Sequence, residues 1–509
     1  MKRKKMKKLA ALALAAAMIC STSACGNDST GDTGQSSNSS NTSSQEGNAQ
    51  GSQGSQEIVT VKWVLPGDPQ EGTPEVLDAI NAKLAEEGLK LDLQLEPFGS
   101  YNDKMNMMIS SQEEFDLCFT TGGWMNFYLP NVAKGAFVDI TDMIDEYASD
   151  LKNAIPDFLF DQVKVKDRIY AVPNYQISYT CCGLIAQTEF LKKYDFDLST
   201  VTKYEDLEPF LQKIVENEPG YYPILWEIGT LDYNNDYILV DESAGIRICF
   251  AKDDPEMKVM FQKDLEKQLF ALGNDWWKKG YIRSDMATMV DDTADRIAGK
   301  YVVYGGAVIK PGGEAERTSA TKDSIAFTQV GLTVPFVSSI SGRSSMTAIS
   351  SSSKHPEAAM KLLNIVNTDK EIFNLLNYGL EGRDYTKNAE GKVVKAENPK
   401  YFISAGWSMG NQFNLDLLEG QADGVWEETD RINREADISP VSGFSFDQAK
   451  VSSEIAKIAA VKEEYKSLAF FDNWEVRFDE YMNKLDAAGL DTYLAELQRQ
   501  LDEWRAENL

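Results

Sequence analysis

Residues 58–96 read IVTVKWVLPGDPQEGTPEVLDAINAKLAEEGLKLDLQLE. Val59, Val61, Trp63 and Leu65 alternate on one face, the period of a strand. Thr73 and Pro74 supply an N-cap and a proline suited to a first helical turn. Leu77, Ile80 and Leu84 then fall at helical spacing, and Gly88 ends the run. Leu89, Leu91, Leu93 and Leu95 alternate again. Strand, helix and strand in so short a span predict a βαβ unit, hence a parallel sheet with a right-handed crossover. A further helix near 101–110 and a short strand at 115–119 continue the winding. Ligands of such sheets bind beyond the strand C-termini. Those ends are Pro66-Gly67-Asp68, Pro97-Phe98 and Thr120-Thr121-Gly122-Gly123-Trp124.

The C-terminal part reads as helix-rich. Pro356 opens a helix whose Ala359, Leu362, Leu363 and Val366 form one stripe. Asp369 caps another that Gly379 closes, and Gly489 separates two more near the C-terminus. The chain has 509 residues, 43% hydrophobic and 26% charged, enough for two large lobes or roughly three domains. Its net charge of −28 repels phosphate backbones and excludes nucleic acid as a partner. A single histidine, His355, leaves little for zinc sites or Ser-His-Asp chemistry, and it precedes a helix-opening proline as a surface residue would.

At the N-terminus, six basic residues precede the apolar run Leu9–Cys20, too short to span about 30 Å of hydrocarbon. Ser21-Thr22-Ser23-Ala24-Cys25-Gly26 follows and resembles the lipobox of bacterial lipoproteins, with Thr22 where those usually carry Leu. The resemblance implies a signal peptide over residues 1–24 and an acylated Cys25; an ordinary cleaved signal without lipid is the alternative. Residues 26–56 are nearly all Gly, Ser, Asn, Gln, Thr and Asp, so this segment is expected to be a disordered spacer reaching roughly 30 Å. A tethered body displayed on the outer face of the cytoplasmic membrane is the architecture expected.

Several runs in the body, PheAspLeu at 115–117 before Gly-Gly-Trp, KGAFVDITDMIDEY from Lys134, DRIYAVPN at 167–174, SKHPEAAMKLLN from Ser353 and YGLEGRDY at 378–385, resemble sugar-type extracellular solute-binding proteins of ABC importers. KLDAAGLDTYLAELQRQLDEW near the C-terminus is similar to one Gram-positive branch of them. The resemblance implies an α/β, two-lobed periplasmic-binding-protein-like fold with a hinge, acting as a monomer, without cofactor or enzymatic activity. The expected lobes are 57–173 plus 338–385 and 174–337 plus 386–509, with crossings near Pro173-Asn174, Pro335–Val337 and Thr386. The implied function is capture of a carbohydrate, an oligosaccharide, and its delivery to ABC transporter permease subunits. A receptor for peptides or another polar solute is the alternative, and a surface glycosidase using two carboxylates is the remote one.

A sugar offers an apolar C–H face and a polar rim, so aromatic rings beside a few polar groups are the side chains to look for. The candidates are Trp124 after its two glycines, Asn174 and Tyr175 at the first crossing, Trp226 and Glu227 in the second lobe, Asp68 as a hydroxyl acceptor, Arg343 past the second crossing, and Arg383. Each has a plainer reading: Trp124 in the core, Asp68 in an exposed turn, Arg343 a solvated loop cation, Arg383 in an inter-lobe salt bridge. Trp276, Trp277 and Trp407 read as packing, although Trp407 is placed to reach a cleft. No metal is expected: Asp232–Asp236 begins like a calcium loop, but Tyr237 stands where the obligatory glycine belongs. Cys118, Cys181, Cys182 and Cys249 lie in apolar stretches and read as buried thiols.

Overall fold

The first strand, β1 (Val59–Pro66), is buried on both faces over its second half, as a central parallel strand must be. In the computed structural model, which describes residues 58–226, 235–289, 292–319, 321 and 325–509, it sits between β2 (Leu89–Glu96) and β3 (Leu117–Thr120) and runs parallel to both. The helix between β1 and β2 spans Thr73–Leu84 and buries Val76, Ile80 and Leu84. Its N-cap is Gly72, one residue earlier than expected, because the Thr73 hydroxyl turns back to donate to the carbonyl of Gln70. Gly88, in the left-handed region at φ 70°, turns the chain into β2, whose leucines alternate inward. A helix over Phe98–Ser111 leads on towards β3.

β4 (Val172–Pro173) closes this sheet at its far side. The chain then builds a second sheet from β5 (Cys182–Gln187) and β6 (Tyr222–Leu225). A three-stranded antiparallel unit follows: β7 (Tyr237–Asp241), β8 (Ile248–Ala251) and β9 (Met260–Phe261). β10 (Tyr301–Val308) and β11 (Phe327–Gly331) complete the second sheet in the order β11-β5-β10-β6, only β6 and β10 being parallel. β12 (Phe336–Val337) leads back, and β13 (Met346–Ile349) inserts antiparallel between β3 and β4. A hairpin of β14 (Tyr385–Lys387) and β15 (Val393–Lys395) follows, then β16 (Asp437–Ile438).

Apolar side chains of the described residues sort into two large cores. One gathers residues of 61–175 and 346–415 and the other residues of 184–303 and 441–501 together with Phe336. Each core gives one lobe. Between them, three segments lie side by side. Thr180 exchanges backbone hydrogen bonds with Phe336, β12 pairs parallel with β16, and the Ser439 N–H donates to the Val337 carbonyl. The third transfer therefore falls at Asp437–Ile438 and not near Thr386. The reason is packing: Tyr385, Val393, Tyr401, Met409 and Leu415 all fill the first core, which keeps the chain there for some fifty residues more than expected.

Candidate functional site

The C-terminal edge of the parallel strands carries a row of aromatic rings. Phe98 opens the helix after β2, Trp124 stands in the loop after β3, and Trp407 comes from a 3-10 turn at Gly406–Ser408. Phe98 and Trp124 are nearly half exposed and Trp407 is half-buried. Ring centroids lie 6.5 Å apart for Phe98–Trp407 and 6.0 Å for Trp407–Trp124. Phe119, fully buried at the end of β3, meets both indoles edge-on at 5.8 and 5.7 Å and forms the floor beneath them.

The loop that presents Trp124 is held at many points. The buried Thr121 hydroxyl accepts the N–H of Trp124 at 3.2 Å and of Met125 at 2.8 Å. Buried Asn126 donates to the Phe119 carbonyl and takes the Asn102 side-chain oxygen on its own N–H. The Trp124 indole N–H donates to the Ser344 carbonyl at 3.2 Å, which fixes the ring plane. Gly122 has a steric reason: its N–H reaches the Arg343 carbonyl at 2.6 Å, and a Cβ there would lie 3.1 Å from the Arg343 Cβ. Nothing crowds Gly123.

The other candidates fall in varied surroundings. Asp68 is exposed at the end of β1, on the same edge as the rings, with its carbonyl receiving the Gln70 amide. Asn174 is buried and its amide is used within the protein, donating to the Ser345 hydroxyl and accepting from Thr347. Tyr175 is buried against Phe413, its ring centroid 4.7 Å away, and its hydroxyl donates to Asp430; burial and that carboxylate push its pKa well up. Trp226 lies inside the second core between Tyr204 and Trp276, with no face turned to solvent. Arg343 is 3% exposed, so it is no solvated loop cation, and one guanidinium nitrogen donates to the Lys164 carbonyl at 3.2 Å. Arg383 forks onto buried Asp384 and reaches the Gly72 carbonyl, all within the first lobe. Glu227 and Cys25 lie outside the described residues, as do Asp232, Tyr233 and Asn234 of the calcium-like loop.

Among the described residues no group of three His, Cys, Asp or Glu is arranged to hold a metal. Cys118, Cys181, Cys182 and Cys249 are buried and unlinked; burial pushes the Cys118 and Cys249 thiols up to about 12, which removes them from nucleophilic chemistry at neutral pH. No described helix is long and apolar enough to cross a membrane. Sequence reasoning reached Trp124 through Gly-Gly-Trp at a strand end. Phe98 is not among the sequence candidates, although it follows a strand end too, and Trp407 reads as packing because nothing local ties residue 407 to that edge. The row sets flat apolar faces beside amides and hydroxyls, an amphipathic surface.

Comparisons with known proteins bear on the family and the fold. The family described as bacterial extracellular solute-binding protein matches residues 66–371, and one described only as a domain of unknown function, DUF3502, matches residues 440–506. A carbohydrate ABC transporter substrate-binding protein of Streptococcus pneumoniae serotype 4 is 28% identical over 451 residues, covering 86% of this chain and 89% of its own. The crystal structure of the N-glycan transport solute binding protein NgtS from Streptococcus pneumoniae superposes with a TM-score of 0.77 at 27% identity, covering 87% of this chain and 98% of that one. The S. pneumoniae substrate binding protein FusA in complex with kestose shares the fold at a TM-score of 0.58 and 18% identity, over 88% of this chain and 100% of that one. With more than half its length matched and the two-lobed architecture in place, this chain belongs to the bacterial extracellular solute-binding proteins.

Proposed function

We propose that this protein captures an oligosaccharide outside the cell and delivers it to the permease subunits of an ABC importer. The carrying observation is the row Phe98–Trp407–Trp124 on the edge where parallel sheets bind ligands. Successive sugar rings lay their C–H faces on such a row, and the exposed Asp68 carboxylate accepts hydroxyls at its side. Relatives named for carbohydrate and N-glycan transport support the sugar over a peptide. The first lobe then comprises residues from 57 to about 175 and from about 338 to 436, and the second comprises the rest of the body. In this reading Glu227 serves as a hydroxyl acceptor, while Asn174, Tyr175, Trp226 and Arg383 hold structure through their side chains and Arg343 through its backbone carbonyl. Residues 1–24 direct export, Cys25 carries the lipid anchor, and residues 26–56 space the monomeric body from the membrane.

A thermal-shift screen of the protein without its signal tests the reading, with Man5GlcNAc, kestose, maltotriose and a tripeptide pool as probes. A saccharide at 100 times its dissociation constant is expected to add about 2.7 kcal/mol of stability. Trp124→Ala removes a ring of the row and is expected to weaken that saccharide by roughly tenfold or more, read by calorimetry. A midpoint raised by peptides and by no saccharide overturns the sugar assignment.

A further inference from the structure

The three residues Arg343, Ser344 and Ser345 enter the first lobe directly from the second crossing, and each makes one contact with the aromatic row or its frame. The Arg343 carbonyl takes the Gly122 N–H, and the Ser344 carbonyl takes the Trp124 indole N–H. The Ser345 hydroxyl, 1% exposed, donates to the Trp407 carbonyl at 2.6 Å and accepts from the Asn174 amide at 3.0 Å. The Ser345 carbonyl also takes the Asn174 N–H at 2.9 Å. One buried oxygen thus joins the first crossing (Asn174), the second crossing (Ser345) and the turn that carries Trp407. Three residues before Ser345, the Gly342 N–H is pinned by the buried Gln162 side chain, which also holds the Ser338 carbonyl and the Ser442 hydroxyl beside the third crossing.

From this convergence we infer that Ser345 is a positioning residue for ligand binding: its hydroxyl sets the separation and tilt of Trp124 and Trp407 and ties them to the crossings between the lobes. The inference rests on the oligosaccharide reading of the aromatic row. The chemistry is local and specific. Trp124 is fixed by the carbonyl of residue 344 and Trp407 by the hydroxyl of residue 345, so the peptide between them acts as the gauge of their 6.0 Å, 41° arrangement. Loss of the hydroxyl leaves the half-buried Trp407 carbonyl and a buried Asn174 amide N–H without their shared partner, and the Trp407 turn is then free to shift against Trp124.

Two indoles this close couple their transitions, which gives the ligand-free protein a near-ultraviolet dichroism signal that depends on their separation and tilt. Trp124→Phe and Trp407→Phe each abolish that signal and so identify it. Ser345→Ala is expected to keep the far-ultraviolet spectrum, to lose most of the indole signal, and to bind Man5GlcNAc or kestose, whichever shifts the wild type, about tenfold more weakly. Ser345→Thr keeps the hydroxyl and is expected to restore both. An intact indole signal in Ser345→Ala, or a lost signal with wild-type affinity, overturns the inference. A wild-type protein whose midpoint is raised by the peptides and by no saccharide of the screen refutes the carbohydrate reading instead, and the indole signal, measured without ligand, then decides the positioning role by itself.

Discussion

Arg343 places a guanidinium where the first lobe offers it little. It is almost wholly buried; one nitrogen reaches the Lys164 carbonyl, and its Nε is a buried donor with no partner among the described residues. Burial lowers its pKa to about 10, and the nearby Tyr128 hydroxyl offsets this only in part. The folded protein therefore releases this proton at a lower pH than the unfolded chain does. Between about pH 10 and the usual guanidinium range the unfolded chain holds more protons, so this group makes stability rise with pH there; below pH 10 the penalty is whole and constant. Replacing such a charge by an apolar chain of similar length removes the penalty. Arg343→Met is expected to stabilise the protein by roughly 1–3 kcal/mol in urea unfolding at neutral pH. A destabilised variant would show that the guanidinium is held by more than the Lys164 carbonyl. At this scale the sequence was least informative. Ser341-Gly342-Arg343-Ser344 reads as an exposed loop, and only the fold reveals that the loop runs beneath Tyr128 and behind Gly122.

Elements announced by a period and a cap were legible before any coordinates. Asp369 accepts the N–H groups of Glu371 and Ile372 at the head of the helix Lys370–Tyr378, and Gly379 turns the chain out of it, as the pattern Asp-x-x-Ile to Gly indicates. The same holds for β1, the following helix and β2, whose leucine and valine spacings leave no other assignment. β12 and β16 were not legible, because two-residue strands contain no period to read; the hairpin of β14 and β15 hid the third transfer for the same reason. Gly489, between the helices Trp474–Ala488 and Leu490–Asn508, offers an element-level test. Its φ is 101°, and a Cβ would meet the Glu454 Cγ at 2.7 Å. Gly489→Ala is expected to cost about 1–3 kcal/mol, with an unchanged urea m-value. A loss under about 0.5 kcal/mol would mean that this helix pair re-seats freely around its turn.

For the whole molecule, the region matching a family of unknown function takes a definite place. Residues 440–506 form no separate body: Val441, Phe444, Ile458, Tyr481, Leu497 and Leu501 all lie in the second core, beside Leu211 and Trp276 from earlier in the chain. Truncation after Ser439 strips that core of one of its walls. The shortened protein is expected to bind a hydrophobic dye and to lose one calorimetric transition while keeping that of the first lobe. Two transitions at wild-type temperatures would instead make the region dispensable. The three segments between the lobes have a mechanical consequence as well. Being hydrogen-bonded edge to edge, they form a ribbon and not a set of loose threads. A ribbon flexes readily across its thin direction and resists shear and torsion, so the two bodies approach along nearly a single path. Such a joint acts like a book's spine, letting two covers turn about one line while keeping them from sliding past each other.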